Sequence, residues 1–491
     1  MQAVRIPWAH IVTTALVLGA VSLGFTRPVA FDETNFLRLA AGAVVDPWRP
    51  HDARINWQGS TERAFAVLSN PPGIAWWLAP VMDWPVWAQR AWMLPWSALA
   101  AVGAWWLAAR FAPGAAALLL VSPIAALAAT SLLPDMPLYA CVLAGIGGYI
   151  RAVDNKAATW PWALLAGCSV LFRYSGLAIL PLLPVYAFLH RRPPAPAAAA
   201  LLPVLALGLH DLHAYGAVHL LEMGRFQSVS NTPLDVFHKA VATICMLGGA
   251  VALPVFGWGG TVLLGALAGG ALGVPFGIAG VGFAALGGAA VGALFRRGQR
   301  PAADAAFLMM WGVSGLLFLL SLRFTAARYW LPFLAPFVLA APARGTGLRL
   351  VATALLTALL LAEDAAHARA ESALATRVAA LGRGSFTGHW GWQAVLERAG
   401  WTAMDEGAAA PAGALVAIPH ESWPQPVQVR CDHVVFEAAS AAWPIWLPRG
   451  YTAAGHANLH ANWIAGSIPI RTVAPWWFGD DPYERARVCQ E

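Results

Sequence analysis

Residues 8–35 read WAHIVTTALVLGAVSLGFTRPVAFDETN. The first part, about 8–25, is an apolar run long enough to cross a bilayer as a helix. The second ends on Phe31-Asp32-Glu33, two adjacent carboxylates placed directly after that run. Charge at the edge of a bilayer is costly unless it is solvated, paired or functional. The run also fits a cleaved signal peptide with Arg5 in its n-region, although the small-residue cleavage pattern is weak. In either case Asp32 lies just outside the membrane.

The rest of the chain supplies more spans. Of 491 residues, 59% are hydrophobic and 11% charged, and mean hydropathy is +0.59. So few charges cannot cover a soluble chain of this length, which makes it a polytopic membrane protein. The net charge of +6 suits anionic lipid head groups; nucleic acid is excluded as a partner because no basic patch is interleaved with aromatics. Lysine occurs only at Lys156 and Lys239, as expected of a GC-rich bacterial coding bias.

Apolar runs fall at about 8–25, 85–109, 114–130, 136–150, 158–172, 175–189, 197–213, 240–258, 260–275, 277–294, 305–322, 329–343 and 348–362, giving about thirteen transmembrane helices. Arg110, Arg151, Lys156, Arg191, Arg192, Arg296, Arg297, Arg300, Arg344 and Arg349 then share the cytoplasmic side. The acids Asp32, Glu33, Asp46, Asp52, Glu62, Asp135, Glu222 and Asp235 fall on the outer side. Gly265, Gly269, Gly273 and Gly277 form a small-xxx-small ladder, which means close helix packing.

Within the outer loop 26–84, Phe36, Leu39, Ala40 and Ala43 recur at helical spacing and describe an interfacial helix. Asp32 stands at its amino end, where a carboxylate caps free N–H groups as readily as it does chemistry. Ser69-Asn70-Pro71-Pro72-Gly73 starts a second helix in the same loop. Asp135 in Leu133-Pro134-Asp135-Met136-Pro137 has the same two readings as Asp32, cap or site, and lies on the same face. A two-carboxylate site there would share acid/base work or hold a divalent metal between Asp32 and Asp135. Arg173, Arg323 and Arg328 break the positive-inside trend on that face, either as snorkelling side chains or as phosphate-binding forks. Lys239 and His238 are weaker candidates.

These landmarks resemble the GT-C membrane glycosyltransferases, specifically the dolichyl-phosphate-mannose protein mannosyltransferase-like group and the bacterial aminoarabinose transferases. The residues that carry the resemblance are Phe31-Asp32-Glu33, Asn70-Pro71-Pro72-Gly73, Arg90 and Asp135-Met136-Pro137-Leu138. Arg173-Tyr174-Ser175-Gly176, Arg328-Tyr329-Trp330-Leu331-Pro332 and Phe386-Thr387-Gly388-His389-Trp390-Gly391-Trp392-Gln393 complete them. Coverage is best over 1–190 and thin over 240–300. The resemblance implies a sugar transferase with a polyprenyl-phosphate donor, a lipid, glycan or protein acceptor, and an inverting mechanism. Asp32 would be the base, with Glu33 and Asp135 orienting the acceptor or binding a metal. Arg173, Arg328, Arg323, Tyr329 and Asn70 would bind substrate. Asn70 departs from the family pattern, in which His or Lys often precedes the two prolines.

Two other classes compete: a carrier or flippase of lipid-linked sugars, and a non-catalytic envelope scaffold. A carrier predicts inverted repeats and charges near mid-membrane, and neither stands out in the sequence. The expected fold is therefore an all-α polytopic GT-C domain over 1–363 and a small soluble α+β domain over 364–491, the latter periplasmic and the former in a bacterial inner membrane. Strand-like runs at 414–419 and 434–437 and a helix-like stretch at 393–399 mark the tail. Cys431 and Cys489 are its two cysteines and can pair in an oxidising compartment. The tail histidines, His389, His420, His433, His456 and His460, lack a recognised metal spacing and are expected to be structural or surface residues.

Overall fold

A computed structural model describes residues 8–57, 59–227, 232–251, 260–296, 300–322, 325–341, 346–451, 459–460 and 473–491. Among the described residues, six helical segments are long and apolar enough to cross a membrane: Val86–Phe111, Asp135–Asp154, Ala195–Tyr215, Gly260–Leu294, Ala302–Ser321 and Thr346–Ala379. Shorter apolar helices cover Val12–Thr26, Trp160–Leu171 and Tyr174–Leu189. The chain is a multi-pass helical membrane protein, and several of the thirteen expected spans are broken rather than continuous.

Proline explains two of the breaks. The run at 114–130 divides into Ala116–Val121 and Pro123–Ala129, with Ser122 extended between them. The run at 329–343 begins as a 3-10 segment, Ala327–Phe333, with Pro332 inside it, and continues as Leu334–Ala340. A proline removes a backbone donor and clashes with the preceding turn. Such breaks are tolerated at membrane depth only where neighbouring protein covers them, and Trp330, Leu331, Phe333 and Leu334 are fully buried.

The Asp135–Asp154 helix is the central post. Almost all of it is buried, and its 20 residues measure about 30 Å at 1.5 Å per residue. Gly265, Gly269 and Gly273 of the ladder pack closely against the following helix, whereas Gly277, at φ +68°, has nothing within 4 Å of the place a Cβ would take. A Cβ on Gly269 would come within 2.0 Å of the Ala284 carbonyl, and one on Gly288 within 2.1 Å of the Gly265 carbonyl. Only glycine permits that approach between Gly260–Gly273 and Gly277–Leu294.

The interfacial helix in the first loop runs Glu33–Val45 and buries Phe36, Leu39, Ala40 and Ala43. Burying Phe36 and Leu39 is worth about 1.5–3 kcal/mol each. The second loop helix is Gly73–Leu78. Between them β1 (Arg54–Asn56) pairs antiparallel with β2 (Thr61–Arg63). This hairpin is tied to the tail, since Asp405 Oδ1 accepts from the Thr61 amide at 2.8 Å and Asn56 Nδ2 donates to the Met404 carbonyl at 3.2 Å.

The tail carries a five-stranded sheet, order β4-β3-β5-β7-β6, from β3 (Ser385–Phe386), β4 (Thr402–Ala403), β5 (Leu415–Pro419), β6 (His433–Ala439) and β7 (Arg485–Gln490). β3 runs parallel to both β4 and β5, while β7 is antiparallel to β5 and β6. Cys431 and Cys489 form a disulfide with Cα atoms 5.0 Å apart. The composition change at 363/364 lies inside the continuous Thr346–Ala379 helix, whose last turns pack Leu374, Ala375 and Val378 against Phe386 and Trp392 of the tail.

Candidate active site

Both acids singled out by position are free of the helix-cap role. Asp32 occupies the N-cap of Glu33–Val45 with no side-chain cap hydrogen bond. Asp135 begins its helix behind Pro134, again with no side-chain cap. A true cap elsewhere shows the contrast: Asp235 and Thr232 form a reciprocal capping box. Instead, Arg328 Nη2 donates to Asp32 Oδ2 at 2.5 Å, and Arg173 pairs with Asp135. The Tyr329 ring lies 4.6 Å from the Arg173 guanidinium and 5.6 Å from that of Arg328, both within cation–π reach. Four residues distant in sequence thus form one constellation, with the half-buried Tyr329 as its spacer.

Arg328 is 13% exposed, and the Asp32 carboxylate offsets the cost of burying its charge. Arg328 Nε and Asp135 Oδ2 are buried with no hydrogen-bond partner among the described residues. The site therefore keeps one donor and one acceptor uncommitted. A cavity of about 440 Å³, counted with its open mouth, is lined by Arg328, Asp135, Glu33, Arg27, Leu459 and His460 among others.

Glu33 differs from its neighbour. Its side chain is 1% exposed and accepts from both Arg27 nitrogens, from Arg90 Nη2, and from the amides of Ala30 and Leu132, all at 3.0 Å. Burial opposes its charge, yet Arg27, Arg90 and the two amides lower its pKa. With its oxygens engaged, Glu33 is a latch joining the first loop, the Arg90 helix and the segment before Asp135. That arrangement departs from the acceptor-orienting role expected for it.

Asn70 is buried, and its main chain is held within the first loop. Its carbonyl accepts from His51 Nε2 at 2.9 Å, inside a group in which His51 lies 4.8 Å from His219, whose Nδ1 meets the Tyr174 hydroxyl at 2.8 Å. Arg323 lies outside the described residues. His238 packs 5.4 Å from Phe276, and Lys239 Nζ donates to the Leu320 carbonyl at 2.7 Å.

Arg27 and His460 line the cavity although neither was expected in the site. Arg27 is an outer-side arginine directly after the first span, so the same orientation rule that marked Arg328 applied to it. His460 had no such signal; it reaches the cavity only through the folding of the tail, with Nε2 3.1 Å from Asp364 Oδ1.

Among the described residues no group of three or more His, Cys, Asp or Glu side chains converges to hold a metal. Asp32 and Asp135 each face an arginine, which does not fit the oxygen-rich ligand set of a divalent cation.

No protein-family profile and no curated sequence matches the chain. Among solved structures, ArnT from Cupriavidus metallidurans in the apo state is similar at 12% identity and a TM-score of 0.43, over 83% of this chain and 92% of that one. A likeness at that level carries no weight for the chemistry.

Proposed function

We propose that this protein is a GT-C-type membrane glycosyltransferase that moves a sugar from a polyprenyl-phosphate donor to an acceptor hydroxyl on the periplasmic face of a bacterial inner membrane. The observation that carries the proposal is Asp32, a carboxylate not used as a helix cap, paired with Arg328, which lines the cavity together with Asp135. The Cys431–Cys489 disulfide supports an oxidising compartment for the tail.

In this mechanism Asp32 takes the proton of the acceptor hydroxyl. The freed oxygen pair attacks the anomeric carbon from the face opposite the phosphate, and the bond from that carbon to the phosphate oxygen breaks with its electrons. The configuration inverts. Negative charge grows on the leaving phosphate, and preorganised cations stabilise it where it develops. Arg328 suits this role because a guanidinium has five donors and one carboxylate does not exhaust them. Arg173, held at a fixed spacing by Tyr329, supplies the second cation. Asp135 keeps Arg173 oriented, and its uncommitted oxygen accepts from a donor sugar hydroxyl. The acceptor hydroxyl belongs to a lipid, a glycan or a protein; the chemistry at Asp32 is the same for each.

The test supplies purified protein in nanodiscs with polyprenyl-phosphate-linked hexoses and pentoses and measures release of the free polyprenyl phosphate. Removing a general base typically costs about 10²–10⁴-fold, so Asp32→Asn should fall by that order on whichever donor turns over. Full turnover by Asp32→Asn on that donor would show that the base is elsewhere.

A further inference from the structure

We infer that an aromatic cage formed by the tail and the Thr346–Ala379 helix positions the base through Phe31, so that the tail is part of the catalytic apparatus. The inference rests on Asp32 being the base. It begins with the backbone. The Glu33 amide donates to the Ala30 carbonyl at 3.2 Å, which makes Phe31 and Asp32 the central residues of a β-turn. Phe31 has φ +47°, and Asp32 has φ −65° and ψ −11°. A positive φ at the first central position is a glycine slot. The chain places a phenylalanine there, so the ring must offset a backbone that disfavours it.

Four rings surround that side chain. His460 stacks on it at 3.8 Å, His367 meets it edge-on at 5.0 Å, and Trp390 and Tyr451 lie 5.4 and 6.1 Å away. Phe31 is 5% exposed and clusters with Ala30, Ala368 and Tyr451. Each wall is itself fixed. Asp364 holds His460. His367 is sandwiched between Tyr451 at 5.1 Å and Tyr483 at 4.9 Å. Trp390, which also has positive φ, at +65°, accepts through its carbonyl from Thr34 Oγ1 at 2.7 Å. Two left-handed residues, Phe31 and Trp390, therefore pack against each other across the seam between first loop and tail.

One residue on, the same turn aims Asp32 at Arg328. Rotation of the turn would carry the carboxylate off that line, and displacements of about 1 Å can cost 10²-fold in rate. Phe31 and His367 are positioning residues in this scheme, acting through Asp32. No proton on either imidazole is required.

Phe31→Gly separates the two readings of the turn, since glycine suits the φ but has no ring. The assay is release of free polyprenyl phosphate in nanodiscs. The expected result is a kcat lower by roughly tenfold or more with donor KM within about threefold, the signature of misplacement rather than lost binding. Parental kcat in Phe31→Gly would overturn the cage. His367→Ala and His367→Phe form the second arm: loss with alanine and retention with phenylalanine supports a ring contact, and equal loss in both overturns it. This arm stands even if Phe31→Gly fails to fold. Asp32→Asn is run alongside. An inactive Asp32→Asn with parental Phe31→Gly and His367→Ala refutes only the cage, whereas an active Asp32→Asn refutes the base assignment itself.

Discussion

The Asp135–Asp154 helix carries an acid-and-arginine cluster at each end, and the two ends do different things with the same residue types. At the Asp154 end, Arg110 bridges Asp154 at 2.9 Å and Asp304 at 2.7 Å, His190 adds a contact to Asp304 at 3.2 Å, and the Tyr186 hydroxyl donates to Asp154 at 3.1 Å. That knot ties four helix ends together, and the cavity described above lies at the other end. At the Asp135 end, two separate pairs stand side by side, Asp135 Oδ2 and Arg328 Nε are uncommitted, and a cavity opens onto them. Opposite charges alone do not make a site. Unspent hydrogen-bonding capacity facing open space does.

The largest test of this contrast is catalytic. Asp32→Asn should lose about 10²–10⁴-fold in turnover, while Asp154→Asn at the other end should keep the parental rate, read as polyprenyl-phosphate release. Equal losses in both variants would mean that the two ends are alike and that the effect is on folding.

What the sequence carried of this arrangement was position and order. Spacing of Phe36, Leu39, Ala40 and Ala43 gave the interfacial helix, the glycine ladder gave close helix packing, and the alternation of loops put Asp135, Arg173 and Arg328 on the same face as Asp32. Pairing was not legible, because a helix-start acid reads as a cap until its carboxylate is seen to bond elsewhere. Adjacency also hid the division of labour in Asp32-Glu33, since the turn at Phe31 sends one carboxylate to Arg328 and buries the other between Arg27 and Arg90. His460 was invisible for a topological reason: it lies more than four hundred residues along the chain from the turn it covers. The broken spans escaped because hydropathy averages over a proline that local sterics do not.

A second comparison concerns stability. Glu33→Gln leaves the fully buried Arg90 without its carboxylate partner and Arg27 with Asp364 alone, and breaking a buried pair in this way costs about 3–5 kcal/mol. Asp304→Asn should cost less, about 1 kcal/mol or below, because Arg110 is 31% exposed and keeps Asp154. Thermal unfolding in detergent checks the order. If Asp304→Asn were the more damaging, the latch assigned to Glu33 would be misplaced.

Acid should act through the buried histidines outside the spans. Burial pushes His51 and His389 down to about 4 and His219 to about 3. In the unfolded chain these groups take up a proton near 6.5. Between those values the unfolded state binds more protons, so stability is full above about pH 6.5 and falls as pH drops toward 4. Unfolding midpoints across pH 4 to 7.5 measure this, and His51→Gln should flatten the slope. An unchanged slope in that variant would remove His51 from the account.

The smallest expected effect falls on the rings beside the arginines. Both ends have one: Tyr329 lies 4.6 Å from the Arg173 guanidinium, and Phe111 lies 5.4 Å from that of Arg110. A cation–π contact is worth about 0.5–2 kcal/mol, so Tyr329→Leu should raise donor KM by roughly two- to thirtyfold, since the two guanidiniums lose their fixed spacing before phosphate arrives. Phe111→Leu removes a contact of the same kind where no phosphate binds, and should leave donor KM at the parental value. Equal KM shifts in the two variants would mean that the rings act through general packing, and the spacing role given to Tyr329 would have to be withdrawn.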